Sequence, residues 1–566
     1  MSGPVKVDVL VVGSGAAGLS AAVTAAMHGA SVMVAEKASV LGGTSAWSGG
    51  WLWIPRNPLA RAEGIDEAAD APLTYLQHEM GGEAADIRLQ TFLRYGPEMV
   101  EFFHQRTAVQ FLSGSAMPDF HPSPGAANGG RSVTAQPYDG RLLGDWLHRL
   151  RPPLETISLG GMGIAGGADM AHFFNATRSP RSALYAARRL LRHGWQRLRA
   201  GRGQHLVNGN ALVARLLRSA LDAGVRFQLN APVVRLLQGP RGVSGAVLRS
   251  DGGEIHVEAG AVVLACGGFP HDRQRLAQVV PHAAEGYGHF SAAPPDNQGE
   301  GIRLGESVGG QFDTSLRHPL AWAPVSRVTL ASGQQLMFPH LVERAKPGVI
   351  AVLPNGKRFV NEADSYHDFI AALLAATPAG DTPQAWLLAD RRALRRYGLG
   401  HARPFPFTPT AWLRTGYLQR GNTLAELAKQ CAIDANALAE TVERFNHFAS
   451  TGEDVDFHRG ASAYNRAQGD HQVTLGPLRE GPFYAVRILP GSLGTFSGLQ
   501  TDEHARVLDE QQQPIPGLYA IGNDMSSVMR GYYPSGGITL GPAMTFGYLV
   551  GKNLAKKKTN INNSIT

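Results

Sequence analysis

The sequence predicts an α/β fold in which a Rossmann-like domain that binds a dinucleotide carries an inserted α+β domain. Three observations support this prediction. The chain begins with an apolar strand, a glycine-rich turn and a helix. Two later strands, residues 261–265 and 518–521, also run into glycines. The length of 566 residues exceeds what one hydrophobic core usually organises, so we expect two domains.

The start of the chain predicts a complete βαβ unit. Residues 7–12 are apolar and β-branched, residues 13–18 read GSGAAG, and an alanine-rich helix follows as far as His28. A second strand, residues 31–35, ends at Glu36. The glycines allow a tight turn and the close approach of a pyrophosphate, and Glu36 can accept hydrogen bonds from ribose hydroxyls. This arrangement indicates a dinucleotide site.

Residues 41–50, LGGTSAWSGG, are too rich in small side chains for a packed strand or a stable helix. Small side chains let the backbone line a flat cofactor beyond the pyrophosphate, which favours FAD over NAD. No second GxGxxG motif follows a later strand, and no CxxCH motif occurs. We therefore expect neither a built-in NAD(P)H site nor an attached c-type haem.

Residues 118–130 form a predicted loop of Pro, Gly, Asn and His that contains Asp119, Phe120 and His121. A plain surface loop and a lid over the site are both consistent with this composition.

A basic amphipathic helix is predicted within residues 177–203. Leucines and Trp195 alternate there with arginines, and no acidic residue occurs between Asp169 and Asp222. This pattern suits peripheral contact with an anionic membrane surface through residues 178–202. The alternative is a solvated arginine face whose leucines pack on the protein. Nucleic acid is not expected as a partner, because no recognised binding motif accompanies the charge.

Composition changes near residue 281, where loops, short apolar runs and aromatic residues begin. We therefore expect the first part of an FAD-binding domain at residues 1–285 and a catalytic or substrate domain, placed as a cap, at residues 286–477. The C-terminal part of the FAD-binding domain follows at residues 478–555. Residues 556–566 are polar and are expected to be a disordered tail.

Residues 517–547 lead from the last predicted strand into a helix. They contain Tyr532 and Tyr533, followed by Gly536 and Gly537. A helix entered through these glycines presents free N–H groups and the positive end of its dipole. A tyrosine hydroxyl beside those amides would make a two-donor pocket for an oxygen that gains negative charge during a reaction.

Charge and cysteine content exclude several classes of protein. The formal net charge of +7 is modest for this size. Cys266 and Cys431 form no CxxC pair and no metal-ligand cluster, so no metal is expected. The N-terminus lacks a signal-peptide pattern, and no apolar run of about 18 residues occurs. These features predict a cytoplasmic protein, with peripheral attachment to the inner face of the membrane as an alternative.

The order of several motifs resembles the fumarate reductase and succinate dehydrogenase flavoprotein superfamily, over almost the whole chain. The motifs are the glycine turn with Glu36, GGTSAWSGG, VVLACGGF, GKRFVNE, GLYAIGND and YPSGGITLGPAMTFGYL. Within this superfamily the sequence looks most like the 3-ketosteroid Δ1-dehydrogenases, through WSGGWLWIPRNP, DFHRG, GPFYA and the YPSGG loop. The resemblance implies an FAD-dependent oxidoreductase that acts on CH–CH groups. Its substrate would be a hydrophobic 3-ketosteroid, desaturated at C1–C2 of ring A, and its electrons would pass to an external acceptor such as a quinone.

The resemblance also implies roles for three residues. Tyr533 and the backbone N–H of Gly537 would hydrogen-bond the C3 ketone and stabilise an enolate-like oxygen, which acidifies the C2 hydrogen. Tyr366 would remove the C2 proton, and hydride would leave C1 for flavin N5. Because the ordinary pKa of tyrosine is about 10, this role requires a lowered pKa or a proton relay. The FAD is expected to be noncovalent, since GGTSAWSGG has no histidine where covalently flavinylated relatives carry theirs.

The candidate FAD-binding residues lie in the glycine turn, in the small-residue stretch, at strand ends and at the entrance of the last helix. They are Gly13, Ser14, Gly15, Ala16, Ala17, Gly18, Glu36, Lys37, Gly42, Gly43, Thr44, Ser45, Ser48, Gly49, Gly50, Val233, Ala265, Gly267, Gly268, Gly522, Asn523, Gly537, Ile538, Thr539 and Leu540.

One position departs from the family pattern. The family's second loop tyrosine, which supports the base, should fall near Asp119 and Phe120, where MPDFHPSPG has no tyrosine. Tyr138 lies too far along the chain, and His121 is the candidate replacement. This departure keeps open a ketosteroid dehydrogenase of different regiochemistry and an oxidoreductase for a non-steroid cyclic ketone.

Two further alternatives remain from the sequence. A dehydrogenase or ene-reductase of fumarate-reductase type would need cationic carboxylate ligands, for which Arg344 is the candidate. A non-catalytic flavin-binding protein for electron transfer would need none of the tyrosines. Additional candidate pocket residues, for which a purely structural role is the commoner outcome, are His289, His318, Trp322 and His367.

Overall fold

An eight-stranded sheet forms the centre of the first domain. The structure is a computed structural model that describes residues 4–563, with the side chains of residues 556–563 excepted. Val5–Val12 pairs in parallel with Gly253–Leu264 on one side and with Val32–Ala35 on the other. Arg226–Gln228 and Pro514–Ala520 extend this parallel core at its two ends. Both faces of the core are covered, which is why its strands read as continuous apolar runs.

The strand register brings the predicted cofactor segments to one edge of this sheet. Val12 lies opposite Leu264 and Ala35, and Leu264 lies opposite Ala520. The glycine turn, Glu36 and the segments that follow the two later strands therefore leave the sheet side by side. The carboxyl edge of an open α/β sheet is where such folds bind their ligands.

Antiparallel strands and two small sheets complete the first domain. The antiparallel strands are Val233–Gly239, Gly242–Ser250 and Arg506–Leu508. The small sheets consist of Trp51–Trp53, Phe111–Ser113 and Ser132–Ala135, and of Tyr138–Asp139 and His205–Leu206. The α-helices of this part of the chain are Ala16–Met27, Pro58–Ala62, Ala71–Met80, Ile87–Arg106, Ala168–Phe174, Pro180–Ala200, Asn208–Asp222, Arg273–Val279, Pro281–Ala284, Glu300–Glu306 and Leu540–Asn563.

The last helix packs closely on the first. A Cβ at Gly547 would lie 2.6 Å from the carbonyl oxygen of Ala17, and one at Gly551 would lie 2.7 Å from that of Ala21. Only glycine allows the two backbones to approach so closely. This contact fixes the entrance of the last helix in front of the glycine turn.

A seven-stranded sheet forms the second domain, around the long strand Phe483–Thr495. The other strands are Phe290–Ser291, Leu320–Thr329, Gln335–Pro339, Val349–Val352, Ala385–Ala389 and Leu418–Gly421. The helices are Tyr366–Ala376, Arg391–Tyr397, Thr410–Arg414, Leu424–Cys431, Ala435–Thr451 and Ala463–Gln468. The fold is thus the predicted pair of an α/β domain and an inserted α+β domain.

Two segments differ from their prediction. Phe483–Thr495 pairs with Leu320–Thr329 and Ala385–Ala389, so the second sheet extends past the domain boundary predicted at residues 477 and 478. A buried apolar strand gives no sign in its sequence of which sheet it will join. The helix Leu540–Asn563 runs into residues 556–563 of the tail predicted to be disordered. Residues 564–566 lie outside the described residues.

Within residues 4–563, no helix combines the length and the apolarity needed to cross a bilayer.

Candidate active site

Glu36 is held against the glycine turn by a local network. Its Oε2 accepts hydrogen bonds from the N–H of Ser14 at 3.1 Å and from Ser14 Oγ at 2.6 Å. Its Oε1 accepts from the N–H of Ala38 at 2.9 Å, and Ser14 Oγ accepts from the N–H of Gly42 at 3.0 Å. The carboxylate is thereby fixed at the edge of the sheet with lone pairs left for ribose hydroxyls.

The glycine turn requires glycine at its first position. Gly13 has a φ of +106°, and a Cβ there would lie 2.2 Å from the carbonyl oxygen of Ala265. A Cβ at Gly18 would lie 2.1 Å from the carbonyl oxygen of Gly13. The N–H of Ala16, at the start of the first helix, donates to Ser45 Oγ at 3.0 Å. The turn, the strand end and the small-residue stretch thus form one surface of backbone groups.

Asn297 joins the small-residue stretch to the end of a central strand. Its Nδ2 donates to Thr44 Oγ1 at 2.8 Å and to the carbonyl oxygen of Gly267 at 3.2 Å. Nearby, Lys37 pairs with Glu300. Sequence reasoning did not select Asn297 or Glu300, although both lie in the DNQGEG segment, whose turn residues were a visible signal.

At the other end of the cleft lies a small opening with a cavity volume of about 30 Å³. Residues that line it include Thr495, Phe496, Gly522, Asn523, Ile538 and Thr539. Beneath it the buried carboxylate of Asp524 accepts from the N–H of Cys266 at 2.5 Å and of Gly268 at 3.0 Å. Burial raises the pKa of Asp524 to about 6. Asp524 was missed from the sequence, although the GLYAIGND motif contains it.

The residues of this cleft fit a flat, extended cofactor. A Cβ at Gly43 would meet no atom within 4 Å, so the space before this backbone is open. For the remaining candidate FAD-binding residues, the structure shows only local contacts or a position in an element. Ser48 Oγ donates to the carbonyl oxygen of Ser45, Gly50 packs against Asn208, and Val233 begins a strand near Glu36. Leu540 is the first residue of the last helix.

Two tyrosine hydroxyls meet in the second half of the site. Tyr366 OH donates to Tyr533 OH at 2.7 Å, and the two rings are 5.1 Å apart in an edge-to-face arrangement. Tyr366 is the first residue of the helix Tyr366–Ala376, whose N-cap Ser365 accepts from the N–H of Asp368 at 3.1 Å. Tyr533 precedes the glycines that lead into the last helix. The two tyrosines selected from the sequence, 167 residues apart, therefore lie side by side.

Phe120 closes this tyrosine pair on a third side. Its ring stacks on Tyr533 at 5.7 Å with an interplanar angle of 11°, and meets the edge of Tyr366 at 5.7 Å. Tyr464, which sequence reasoning missed, lies 4.4 Å from Phe120. The N–H of Phe120 donates to the carbonyl oxygen of Pro534 at 3.0 Å. Residues around Phe120 are therefore a buried wall of the pocket and not a plain surface loop.

Comparison with known proteins identifies relatives along the whole chain. Residues 8–540 match the family described as FAD binding domain. The chain is 39% identical to a 4-oxocyclohex-2-ene-1-carboxylate 5-dehydrogenase of Sinomonas cyclohexanicum, over 97% of this chain and 94% of the relative. It is 36% identical to a 3-oxosteroid 1-dehydrogenase of Mycolicibacterium smegmatis, over 97% of each chain. A 3-ketosteroid delta1-dehydrogenase from Sterolibacterium denitrificans, solved with 1,4-androstadiene-3,17-dione, gives a TM-score of 0.88 at 36% identity, over 98% of this chain and 100% of that one.

The chain belongs to the 3-ketosteroid Δ1-dehydrogenase family. It is an FAD-dependent oxidoreductase that acts on CH–CH groups, as the sequence predicted. The cleft along the carboxyl edge of the sheet is therefore read as the FAD site of this dehydrogenase, and the tyrosine pair as its candidate catalytic centre.

His121 does not take the place of the loop tyrosine expected in this dehydrogenase family. Its Nδ1 bonds Glu79 Oε2 at 2.5 Å, and its Nε2 bonds Asp368 Oδ2 at 2.7 Å. Burial alone would lower the pKa of His121, but its hydrogen bonds to Asp368 and Glu79 raise that pKa to about 10. Because both ring nitrogens are occupied, His121 acts as a charged clamp between the loop and the helix of Tyr366. The place expected for the tyrosine is filled by the ring of Phe120.

Neither tyrosine of this dehydrogenase has the lowered pKa that a base would need. Burial raises the pKa of Tyr533 to about 12, although its hydrogen bonds with Tyr366 and Thr539 act in the opposite direction. Burial, and then the neighbouring Tyr533, raise the pKa of Tyr366 well above its ordinary value. The lowered pKa, one of the two routes expected from the sequence, is therefore not present, so Tyr366 can act as a direct base only in the deprotonated form that high pH favours.

Arg344 is not available as a carboxylate ligand. Its Nε donates to the carbonyl oxygen of His340 at 2.7 Å, and its Nη1 donates to that of Glu362 at 2.8 Å. Both Nη atoms also lie 3.3 Å from the carbonyl oxygen of Asp364. These hydrogen bonds hold the backbone before Tyr366 in place. They also occupy the guanidinium group of Arg344, which is buried.

Proposed function

We propose that this enzyme desaturates the carbon–carbon bond beside a ring ketone, with C1–C2 of ring A of a 3-ketosteroid as the reference reaction. The hydroxyl pair of Tyr366 and Tyr533 carries this proposal, because two hydroxyls 2.7 Å apart can serve one substrate as proton acceptor and as donor to its ketone. Tyr533 lies beside the entrance of the last helix, where the N–H of Gly537 supplies a second donor. A substrate ketone that binds both would gain negative charge in a site prepared for it.

The reaction divides the two hydrogens of the substrate between a residue and the cofactor. Tyr533 and Gly537 polarise the C3 ketone, and Tyr366 takes the C2 proton. FAD, held by the residues of the cleft, would supply the acceptor for the C1 hydrogen and its electron pair, and the electron pair of the broken C2–H bond becomes the new C1–C2 double bond. We propose a quinone as the external acceptor that would take the electrons.

Two groups of relatives support a cyclic ketone as the substrate. The cyclohexene carboxylate dehydrogenase and the steroid dehydrogenases share one reaction type, which is loss of hydrogen next to a ring ketone. Phe120 in place of a tyrosine at the base favours regiochemistry or substrates that differ from those of the steroid enzymes. The common chemistry supports a cyclic ketone as substrate.

An anaerobic titration tests this function. The purified holoenzyme is mixed with androst-4-ene-3,17-dione, with 5α-androstane-3,17-dione and with 4-oxocyclohexanecarboxylate, while the oxidised flavin band is recorded. Bleaching by any of these ketones, with a product two mass units lighter, is expected. If none of them bleaches the flavin, the proposal is wrong.

The fumarate-reductase alternative is tested by adding fumarate to the reduced enzyme under the same anaerobic conditions. The bonds of Arg344 to backbone carbonyls disfavour a clamp for a dicarboxylate. We therefore expect that dithionite-reduced enzyme is not reoxidised by fumarate. Rapid reoxidation by fumarate would support the alternative over the cyclic ketone.

The FAD is proposed to be noncovalent. Precipitation of the enzyme with trichloroacetic acid should then release all yellow colour to the supernatant, whereas a coloured pellet would identify a covalent bond.

We also propose that the helix Pro180–Ala200 binds an anionic membrane surface. Leu184, Leu191, Trp195 and Leu198 lie on its outward face, and their exposed fractions are 72%, 76%, 57% and 85%. Their spacing places them on one stripe of the helix. The alternative, in which these leucines pack on the protein, does not match such exposures.

Arginines flank this apolar stripe. Arg181, Arg188, Arg192 and Arg199 are exposed, and the guanidinium of Arg199 lies 4.4 Å from the centre of the Trp195 ring. Apolar side chains that enter the acyl boundary and cations that meet anionic headgroups are the two components of such binding. A hydrophobic substrate and a quinone would both be found at that surface.

Vesicle sedimentation tests the helix. Pelleting is expected with phosphatidylglycerol vesicles and not with phosphatidylcholine vesicles, and Leu191→Glu should abolish it. Ile87→Glu, at a residue that is 53% exposed elsewhere on the protein, is the matched control and should still pellet. Equal pelleting with both lipids would contradict the proposal.

A further inference from the structure

A cluster of imidazole and indole rings lies directly behind Tyr533. We call His282, His289, His318, His367 and Trp322 the histidine cluster. Its rings are in contact, with centroid separations between 5.1 and 6.3 Å. The cluster is built by a short helix, a strand of the second sheet and the helix of Tyr366. The proposed reaction uses none of its members.

The hydrogen-bond geometry fixes the tautomer of His367. The backbone N–H of Trp322 donates to His367 Nδ1 at 3.2 Å. Nδ1 therefore carries no hydrogen, and the neutral ring carries its hydrogen on Nε2. Both side chains are buried, each with 3% exposure. Among the residues that the structure describes, neither His367 Nε2 nor Trp322 Nε1 has a hydrogen-bond partner. Two buried N–H donors in one cluster therefore lack an acceptor.

Both ring nitrogens of His289, in contrast, have partners. His289 Nε2 bonds Ser492 Oγ at 2.9 Å, and its Nδ1 bonds His282 Nε2 at 3.3 Å. A buried donor without a partner is costly, and most in native proteins are met by protein, water or ligand. The contrast within one cluster indicates that the donors of His367 and Trp322 are meant for an acceptor that the chain itself does not supply.

The buried imidazoles of His318 and His367 are neutral near pH 7 and can act as N–H donors. Burial lowers the pKa of His318 to about 4 and that of His367 to about 3, and the guanidinium of Arg317 acts in the same direction. The acidic group that acts on both rings is Asp368, whose carboxylate already bonds His121 and Ser365. The cluster therefore presents N–H donors beside the positive charge of Arg317, and its neutral imidazoles can take up a proton if an anion enters.

The cluster lies one ring away from the ketone donors. The ring of His367 is 5.5 Å from that of Tyr533 and 5.9 Å from that of Phe496, which lines the opening at the end of the FAD cleft. Because the rings of His367 and Tyr533 are neighbours, a small substrate whose ketone meets Tyr533 lies close to the histidine cluster. The far end of a steroid lies three further rings away.

We propose that the histidine cluster is a carboxylate subsite, in which His367 Nε2 and Trp322 Nε1 bind the carboxylate of a single-ring oxo acid whose ketone is bound by Tyr533. This inference rests on the proposed function, because the ketone defines the orientation of the substrate. It assigns the substrate to the class of cyclohexanone-type carboxylic acids.

Ligand binding without turnover tests the subsite. 4-Hydroxybenzoate carries a phenol in place of the enolate and a carboxylate opposite it, and its methyl ester lacks the charge. Each is titrated into oxidised holoenzyme while the flavin spectrum is recorded. The acid is expected to bind at least roughly tenfold more tightly than the ester, because hydrogen bonds to a charged group contribute more than neutral ones.

Variants of His367 and Trp322 test whether these two residues cause the tighter binding of the acid. Trp322→Phe removes one donor, and His367→Asn removes the Nε2 donor while its amide oxygen can still accept from the N–H of Trp322. Each should reduce the preference for the acid roughly tenfold. His367→Gln keeps a donor near the Nε2 position and should retain most of it. FAD content and melting temperature identify any variant that has failed to fold.

The outcomes separate this inference from the proposed function. If cyclic ketones bleach the flavin but acid and ester bind equally, or the variants keep the full preference, the carboxylate subsite is wrong and the desaturase stands. If 4-hydroxybenzoate binds more tightly through His367 and Trp322 but no cyclic ketone reduces the flavin, the desaturase is wrong. Loss of the preference in both donor variants, with ketone-dependent bleaching in wild type, supports both.

Discussion

The FAD cleft and the tyrosine pocket are assembled in opposite ways. The cleft is centred on backbone groups and small residues of one local βαβ unit, which later segments join; the bond between Ser14 and Glu36, 22 residues apart, belongs to this unit. The pocket uses side chains brought from distant segments, as in the bond from Tyr75 OH to the carbonyl oxygen of Pro534, 459 residues away. A local motif can build a surface for a cofactor, whereas the catalytic groups depend on how the two domains meet.

Substitutions in the two regions should also have different effects. In the cleft the critical property is the absence of a side chain, so a substitution changes whether the cofactor binds. In the pocket the critical property is a hydroxyl or an aromatic face, so a substitution changes the reaction and leaves the cofactor in place.

The largest expected effect is in the cleft, for Gly13→Ala. The added Cβ would meet the carbonyl oxygen of Ala265 at 2.2 Å, and φ is +106° there. Purified protein should contain almost no FAD and show no ketone-dependent activity, as measured by flavin absorbance relative to protein. Gly82→Ala, whose Cβ would meet no atom within 4 Å, is the control and should bind FAD fully. Full flavin content in Gly13→Ala would contradict the expectation that a substitution in the cleft prevents FAD binding.

The next effect is in the pocket, for Tyr366→Phe. Loss of a general base lowers kcat by roughly 10²- to 10⁴-fold, while flavin content should equal that of wild type. Tyr532→Phe is the matched control, since this ring packs under Arg317 and its hydroxyl is not part of the pair. Stopped-flow reduction of the flavin measures both. A loss of FAD in Tyr366→Phe would mean that cleft and pocket are not separable.

The pH dependence distinguishes the two regions more finely. Burial raises the pKa of Tyr366, and only its deprotonated form can accept the C2 proton. The rate constant for flavin reduction should therefore rise about tenfold per pH unit between pH 7 and pH 9, with no plateau in that range. The residual rate of Tyr366→Phe should not rise in this way. A wild-type plateau below pH 8 would contradict the raised pKa.

Sequence reasoning reached the cleft more completely than the pocket for a physical reason. The turn at Gly13 and the acid at Glu36 are set by the period of a βαβ unit, so they can be recognised without knowing the rest of the fold. Tyr366 and Tyr533 were found through resemblance and not through a local pattern. Tyr464 was missed, because a tyrosine in a short helix becomes part of the pocket only when the two domains are joined.

Two residues show what the sequence could not decide. His121 was a candidate for the missing hydroxyl, but its role depends on Glu79 and Asp368, which approach from two separate helices. Asp524 was not selected from the sequence, yet it is fully buried beneath the end of the cleft. In both cases the partners that define the residue are distant in sequence.

The smallest effect is expected for Phe120→Tyr, which adds a hydroxyl to the wall that the family builds with tyrosine. The ring of Phe120 faces the edge of Tyr366 at 5.7 Å, so a new phenol there could donate to the oxygen of Tyr366. A donor to the charged form lowers the pKa of a base. Flavin reduction at pH 7 should therefore become faster by a few-fold, with the pH profile displaced to lower pH and FAD content unchanged. A slower reaction with an undisplaced profile would show that Phe120 serves this pocket as an apolar wall, which would sharpen the difference between this enzyme and its steroid relatives.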